Sequence, residues 1–541
     1  MKRIVFTLTA LLGIVLGHAQ PSNQVVHNPM LWSDVPDPDV IRVGDTFYMV
    51  STTMHLMPGA PIMQSKDLGN WETVGYVFDR LTDSPKYDLQ EGTVYGRGQW
   101  ATSLKYHNGK FYALLAPNEH GQMGQTYIFS AEKAEGPWTL VSRLRHFHDC
   151  SLFFDDADDG SFRVYVVYGT GEMMELKPDL SDVIEGTHRQ IFQREADETG
   201  LLEGSRMIKH NGKYYLLMIS HVWAPGRHRR QVCYRADDIQ GPYEKKVILE
   251  SDFGGFPYVG QGTIVDGVPA NDGTQSWYGI IFQDRGAVGR VLTLSPVRWL
   301  DGWPIIGDEN GRVPDSVSTV HSERMGASQG VTMSDDFSQP ELGLHWQWNH
   351  NPVDEAWSLT ERQGYLRLKT CRVVENLYLA PNTLTQRMEG PMCSGIVSID
   401  CSHLKEGDRA GFAAFNGDSG VLTVKREGNH FVLQMSEQSV QLTEREKAVT
   451  AVDEKVVESV SFSEPVIQLR IDGDFRVGQD MATFYYKTGK DDWHPIGQPY
   501  KMRFDYRRLF MGTKFAIFNY ATKATGGYID VDGFDYKRIN H

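Results

Sequence analysis

Between residues 35 and 305 one loose unit recurs five times, and this repetition constrains the fold more than any other feature. Each copy has an opening residue, an apolar run, a glycine-containing turn, and aromatic residues that begin a second strand. The copies run from Asp37 to Tyr48, Ala101 to Tyr112 through Asn108-Gly109, and Asp149 to Tyr165 through Asp159-Gly160. Two more run from Glu203 to Tyr215 through Asn211-Gly212, and from Gln261 to Tyr278 through Asp272-Gly273. The closing tyrosines fall 50 to 64 residues apart. Asn-Gly and Asp-Gly make hairpin turns because they accept positive φ cheaply. Hairpins with a period near 50 indicate a β-propeller built from one four-stranded blade per unit. A long sandwich would not explain the period. The expected fold is all-β, a five-bladed propeller. The stretches 65–71, 134–138 and 239–243, ending on Trp71, Trp138 and Tyr243, read as turn-plus-aromatic closers of outer strands.

In a propeller the first strand of every blade lines the central channel, so residues opening equivalent strands converge at one end of it. Three of the five openers are carboxylates: Asp37, Asp149 and Glu203. Pro36 and Pro38 flank Asp37, fixing φ on either side and biasing their predecessors to extended geometry. The alternative is a turn that happens to contain aspartates. Asp39 shares Asp37's face in a regular strand, so alternation alone does not separate the two. Asp155, Asp156, Asp158 and Asp159 read as a solvated turn.

Three acids in one cavity suit glycoside hydrolysis. An inverting hydrolase needs a carboxylate to activate water and a carboxylic acid to protonate the leaving oxygen, roughly 6.5–9.5 Å apart. Carboxylates on opposite walls of a channel suit that spacing. A third acid raises the general acid's pKa by like-charge repulsion.

The rest of the sequence bounds the setting. At 541 residues the chain is too long for one compact core, and two large domains are expected. Lys2 and Arg3 precede the largely apolar run from Ile4 to Leu16, with small residues up to Ala19. This reads as a signal peptide over residues 1–19, which implies a secreted or periplasmic protein. No later stretch reaches the roughly 18 apolar residues of a membrane span, so no membrane insertion is expected. A formal net charge of -15 argues against nucleic acid or an anionic membrane as partner. The five cysteines show no metal-type spacing, and at least one thiol is left unpaired. Abundant aromatics suit an oligosaccharide or polysaccharide substrate.

Pro36-Asp37-Pro38 with Arg42-Val43-Gly44-Asp45, then Gln99-Trp100-Ala101, His148-Asp149-Cys150-Ser151-Leu152 and Leu202-Glu203-Gly204-Ser205, together resemble glycoside hydrolase family 43. That family comprises inverting β-xylosidases, α-L-arabinofuranosidases and arabinanases on a five-bladed propeller. The resemblance implies that Asp37 is the general base, Asp149 the pKa modulator and Glu203 the general acid. It also implies that Arg290 binds sugar hydroxyls and helps keep the base ionised, its alternative being a surface cation. Arg285 is a weaker candidate that could simply pair with Asp284. Trp100 is expected to wall the −1 sugar, with a core position as its alternative, and His55 is expected at the pocket rim or in a structural role. Many family members carry a histidine at the fifth-blade opening that helps hold a central calcium. Gln261 stands there in this chain. No cofactor is required for the acid/base chemistry.

The propeller is expected over residues 20–315 and a polar linker over 316–332. From 333 to 541 a second all-β pattern resembles the concanavalin-A-like β-sandwich of family-43 β-xylosidases. The resemblance implies that it packs on the propeller and lends a loop to one end of the active site, with the Leu384–Arg387 segment resembling that loop's flank. The alternative is an independent carbohydrate-binding module. Asp335 or Asp532 could hold a structural calcium, although solvated turn acids are commoner. The expected function is exo-acting release of β-D-xylose or α-L-arabinofuranose from hemicellulose. Two rivals are a catalytically silent glycan-binding propeller and a retaining family-32 fructan hydrolase, whose Asn-Asp-Pro-Asn-type and Arg-Asp-Pro motifs this sequence lacks.

Overall fold

The computed structural model describes residues 22–539 apart from 120–121, 224–225, 322–329 and 445–447. The signal peptide expected over 1–19 lies outside these residues. Five four-stranded antiparallel sheets follow one another along the first half of the chain, each built from one contiguous segment. Their first strands are Asp39–Val43, Thr102–His107, Ser151–Asp156, Leu202–His210 and Val259–Asp266. Each touches the next, and the last touches the first, closing a five-bladed ring.

The repeat's chemistry explains its geometry. Asn108-Gly109 joins strands paired His107 to Lys110, and Asn211-Gly212 joins strands paired His210 to Lys213. All four turn residues hold positive φ, as a two-residue primed hairpin requires. The closers also share one device. Trp71 Nε1 donates to Leu68 O at 2.9 Å, Trp138 Nε1 to Ala134 O at 3.1 Å, and Tyr243 Oη to Ile239 O at 2.8 Å. In three blades an aromatic side chain thus pins the turn between the third and fourth strands.

No blade is shared between the two ends of the ring, so closure depends on other contacts. Ser22–His27 pairs with Ser316–His321, and the Asn28 side chain bonds Leu294 and Pro314 at 2.7–2.8 Å. Arg42 of blade one pairs with Asp266 of blade five. Residues 316–321, expected to begin a linker, are therefore a strand. Their polar alternation reflects a two-stranded ribbon with one buried face.

The second half is a sandwich of two eight-stranded antiparallel sheets. Strand Val466–Asp474 buries every second residue, with Ile467, Leu469 and Ile471 pointing into the core. An edge strand of one of these sheets is Leu56–Met57 of the propeller, paired with Gln347–Asn349. The two domains therefore share a sheet as well as an apolar interface. Met54, Leu56 and Tyr95 are buried among Tyr378, Leu509, Met511 and Phe518, and Ala287, Val288 and Val291 join the sandwich core. A large apolar interface of this kind holds two domains as one body.

Candidate active site

Four blades open on a residue with left-handed backbone: Asp37 at φ 52°, Asp149 at 47°, Gly204 at 76° and Gln261 at 73°. Such a φ costs a non-glycine residue of order 1–3 kcal/mol, and it persists only where the surroundings enforce it. Asp37 is not extended, despite the following proline; the fold overrides that bias. Gly204, not Glu203, is the position equivalent to Asp37 and Asp149. Glu203 stands one residue earlier, where a β-bulge shifts the register between Glu203 and Arg206.

Asp37 is 6% exposed. Its Oδ2 accepts from Thr52 Oγ1 at 2.6 Å, and Arg290 Nη1 donates to both oxygens at 3.1 and 3.3 Å. A guanidinium facing both oxygens suits an ionised carboxylate. The Arg290 guanidinium also lies 4.8 Å from the ring of Phe510, and its Nη2 donates to Phe510 O at 3.2 Å. Phe510 belongs to the sandwich, so the second domain reaches the site. Phe510 makes this contact, and Leu384–Arg387, expected to flank such a loop, is a fully buried strand paired with Lys514–Ala521, the strand that follows Phe510.

Asp39, indistinguishable from Asp37 by alternation, has a different environment. Its Oδ2 accepts from Leu104 N at 2.8 Å, Ser103 Oγ at 3.1 Å and Lys105 Nζ at 3.1 Å. It ties blade one to blade two. Arg206, 1% exposed, lies inside the channel with Nε 3.6 Å from Asp39 Oδ1. Its Nη2 donates to Asp37 O at 3.2 Å and Thr102 O at 3.3 Å, and its Nη1 to Ser205 O at 2.9 Å. A guanidinium on these carbonyls places positive charge where a central cation would need the same oxygens. Together with Gln261 in place of histidine, this donor set does not fit a central calcium.

Asp149 Oδ2 accepts from Gly204 N at 2.6 Å. Burial, then the Glu203 charge, push its pKa up to about 6, with Asp37 adding to the rise and Arg206 opposing it. Glu203 Oε2 is 3.6 Å from His148 Nε2, and Oε1 is 3.8 Å from His221 Nε2. The nearby Glu203 carboxylate raises the His148 pKa, whereas burial lowers that of His221.

The raised pKa gives Asp149 a testable signature. The folded state holds this proton more tightly than the unfolded chain, so the contribution to stability is full below pH ~4 and is lost as pH rises through about 6. Asp149→Asn is expected to raise the melting temperature at pH 7 by roughly 1–3 °C, with the gap closing near pH 4. Thermal melts at the two pH values check this.

Trp100 is partly exposed and stands edge-on to His148 at 6.1 Å, on the Glu203 side of the site. The Gln261 side chain borders the bulge at Gly204, where an added Cβ would lie 3.0 Å from it. His55 is not at a pocket rim. It is fully buried, bonded through Nε2 to Asn349 Oδ1 at 2.9 Å and packed on Tyr95 and His350. Burial drives its pKa down to about 3, so it is a neutral interdomain contact. Arg285 does not pair with Asp284, which bonds Arg229. Its guanidinium is held by Gln283 and lies over Trp32 and Phe256.

Asp335 accepts from Phe337 N at 2.8 Å and Trp346 Nε1 at 2.9 Å, so its oxygens serve the sandwich's own donors. Among the described residues no three His, Cys, Asp or Glu side chains are grouped to hold a metal ion. Asp155 is less solvated than expected, pairing with Lys209 at 2.7 Å, whereas Asp156 is exposed as expected and lies 2.8 Å from His107.

The sequence reading missed Thr52, Arg206, His221 and Phe510. Arg206 left a signal, a cation inside an apolar inner strand at the position matching Asp39. Phe510 left none, because nothing local marks a loop that acts on another domain.

A carboxylate-lined propeller channel with a sandwich loop against its arginine defines a glycoside hydrolase. Residues 26–304 match the model of glycosyl hydrolases family 43, and residues 334–537 match the β-xylosidase C-terminal concanavalin A-like domain. The chain belongs to family 43. It is 28% identical to a β-xylosidase of Formosa agariphila, over 94% of this chain and 90% of that protein. It is also 28% identical to the non-reducing end α-L-arabinofuranosidase BoGH43B of Bacteroides ovatus, over 82% of this chain and 81% of that one. Among solved structures, the bifunctional GH43-CE protein of Bacteroides eggerthii superposes with a TM-score of 0.84 at 40% identity. That match covers 96% of this chain and 64% of the other, so this chain spans less than two thirds of that protein.

Proposed function

We propose that this enzyme removes terminal β-D-xylosyl or α-L-arabinofuranosyl units from hemicellulose with inversion. Asp37 activates the water, Glu203 protonates the leaving oxygen, and Asp149 modulates the proton affinity of the acid. The observation that carries this reading is the asymmetry of the carboxylates. Asp37 faces a guanidinium and a hydroxyl, whereas Asp149 and Glu203 face each other's charge. One environment suits an ionised base and the other suits holding a proton. Trp100, Arg290 and Gln261 border the sugar, and the Phe510 loop closes one side, which favours exo action.

The family's inverting chemistry and the relatives named for xylose and arabinose support this assignment. No metal takes part in the proposed steps. Export by the N-terminal leader completes the proposal, placing the enzyme where polysaccharide fragments arrive. Digests of xylo-oligosaccharides, arabinoxylan and arabinan test it. Monosaccharide is the expected sole early product; internal cleavage to longer fragments, or binding without turnover, would contradict it.

A further inference from the structure

Three residues before the base, Asp34 is 1% exposed and lies at the junction of the two domains. Its Oδ1 accepts from the backbone N of Arg290 at 2.9 Å, and its Oδ2 from the backbone N of Gly512 at 2.7 Å. One carboxylate thus bonds the residue that holds Asp37 and the loop that carries Phe510. Arg387 Nε donates to the Asp34 carbonyl at 3.1 Å, and Val35 N donates to Arg290 O at 2.9 Å. Lys514, buried beside them, places Nζ 3.5 Å from Oδ2.

The approach is close enough to dictate its neighbours. A Cβ at Gly289 would fall 2.3 Å from Asp34 Oδ1, and one at Gly512 would fall 3.1 Å from Asp34 Cβ and 2.1 Å from Val288 O. Both sites therefore require glycine. The residues on either side of this clamp are the ones that meet at the site, where Arg290 Nη2 donates to Phe510 O and Nη1 to Asp37.

We propose that Asp34 is a positioning residue: its carboxylate sets Arg290, and through it Asp37, against the Phe510 loop that the sandwich contributes. This rests on the reading of Asp37 as base. Two backbone N–H groups converge on two oxygens, so only a carboxylate satisfies both. An asparagine of the same shape meets one of them with its own N–H₂ and loses that bond. It also leaves the buried Lys514 without a counter-charge.

The test is a double-mutant cycle on 4-nitrophenyl β-D-xyloside and 4-nitrophenyl α-L-arabinofuranoside, using Asp34→Asn, Phe510→Ala and the pair. Asp34→Asn is expected to lower kcat by about 10–100-fold with KM changed less than about threefold, as a misplaced constellation does. The double variant is expected within about threefold of Asp34→Asn alone, because the loop is already unhooked. Full activity in Asp34→Asn, or losses that multiply independently, would overturn the proposal. If Asp34→Asn does not fold, Asp34→Glu, which keeps the charge beside Lys514 but displaces both oxygens, takes its place in the same cycle, with the same coupling expected and independence again overturning the idea. Asp37→Ala is measured alongside. An active Asp37→Ala would sink the base assignment itself, whereas an inactive one beside a normal Asp34→Asn sinks only the clamp.

Discussion

Alanine at position 37 is expected to lower kcat by about 10⁴-fold, the upper range for loss of a general base, on activated and natural substrates alike. Water activation is needed whatever the leaving group. The carboxylate touches Thr52 and Arg290 and no hydrophobic core cluster, so the fold should persist. Two side effects are expected. Alanine tolerates the left-handed φ of 52° less well than aspartate, which destabilises by about 1 kcal/mol. Asparagine, which visits that region more readily, separates this strain from the chemistry and should be as inactive. Removing the charge also takes away one cause of the raised Asp149 pKa. Steady-state kinetics with melting curves check both variants.

Glutamine at position 203 should divide substrates by their leaving groups. A xylo-oligosaccharide leaves as a poor alkoxide unless it is protonated, and its turnover should fall by about 10³-fold. A nitrophenolate leaves without a proton, so that turnover should fall by less than about tenfold. Glutamine preserves the shape beside His148 and His221, and the contrast therefore reports the proton and not the packing. Equal losses on both substrates would remove Glu203 from the acid's role.

Much of this was legible in the sequence because a propeller writes its period into hairpin turns. Asn108-Gly109 and Asn211-Gly212 are turns by chemistry alone, and the inner strands begin within two residues of the five expected openers. The three acids were found because equivalent strands converge. What escaped depended on backbone geometry and on distant contacts. The bulge that displaces Glu203 from the position shared by Asp37 and Asp149 leaves no mark in an alternation pattern. The left-handed Asp37 contradicts the bias of its own following proline. His55 looked like a rim residue because nothing local reveals that Leu56–Met57 joins a sheet made almost wholly from residues beyond 346. Phe510, more than 200 residues from Arg290, is joined to it only by folding.

As the base of an inverting enzyme, Asp37 would deliver water from the face opposite the leaving group. Proton NMR of the first sugar released from a β-xyloside, or from an α-arabinofuranoside if that is the substrate turned over, tests it most directly. The opposite anomer is expected at first, α-xylose or β-arabinose, with mutarotation following. Initial release with the starting configuration would mean a covalent intermediate and a nucleophile where the base has been placed.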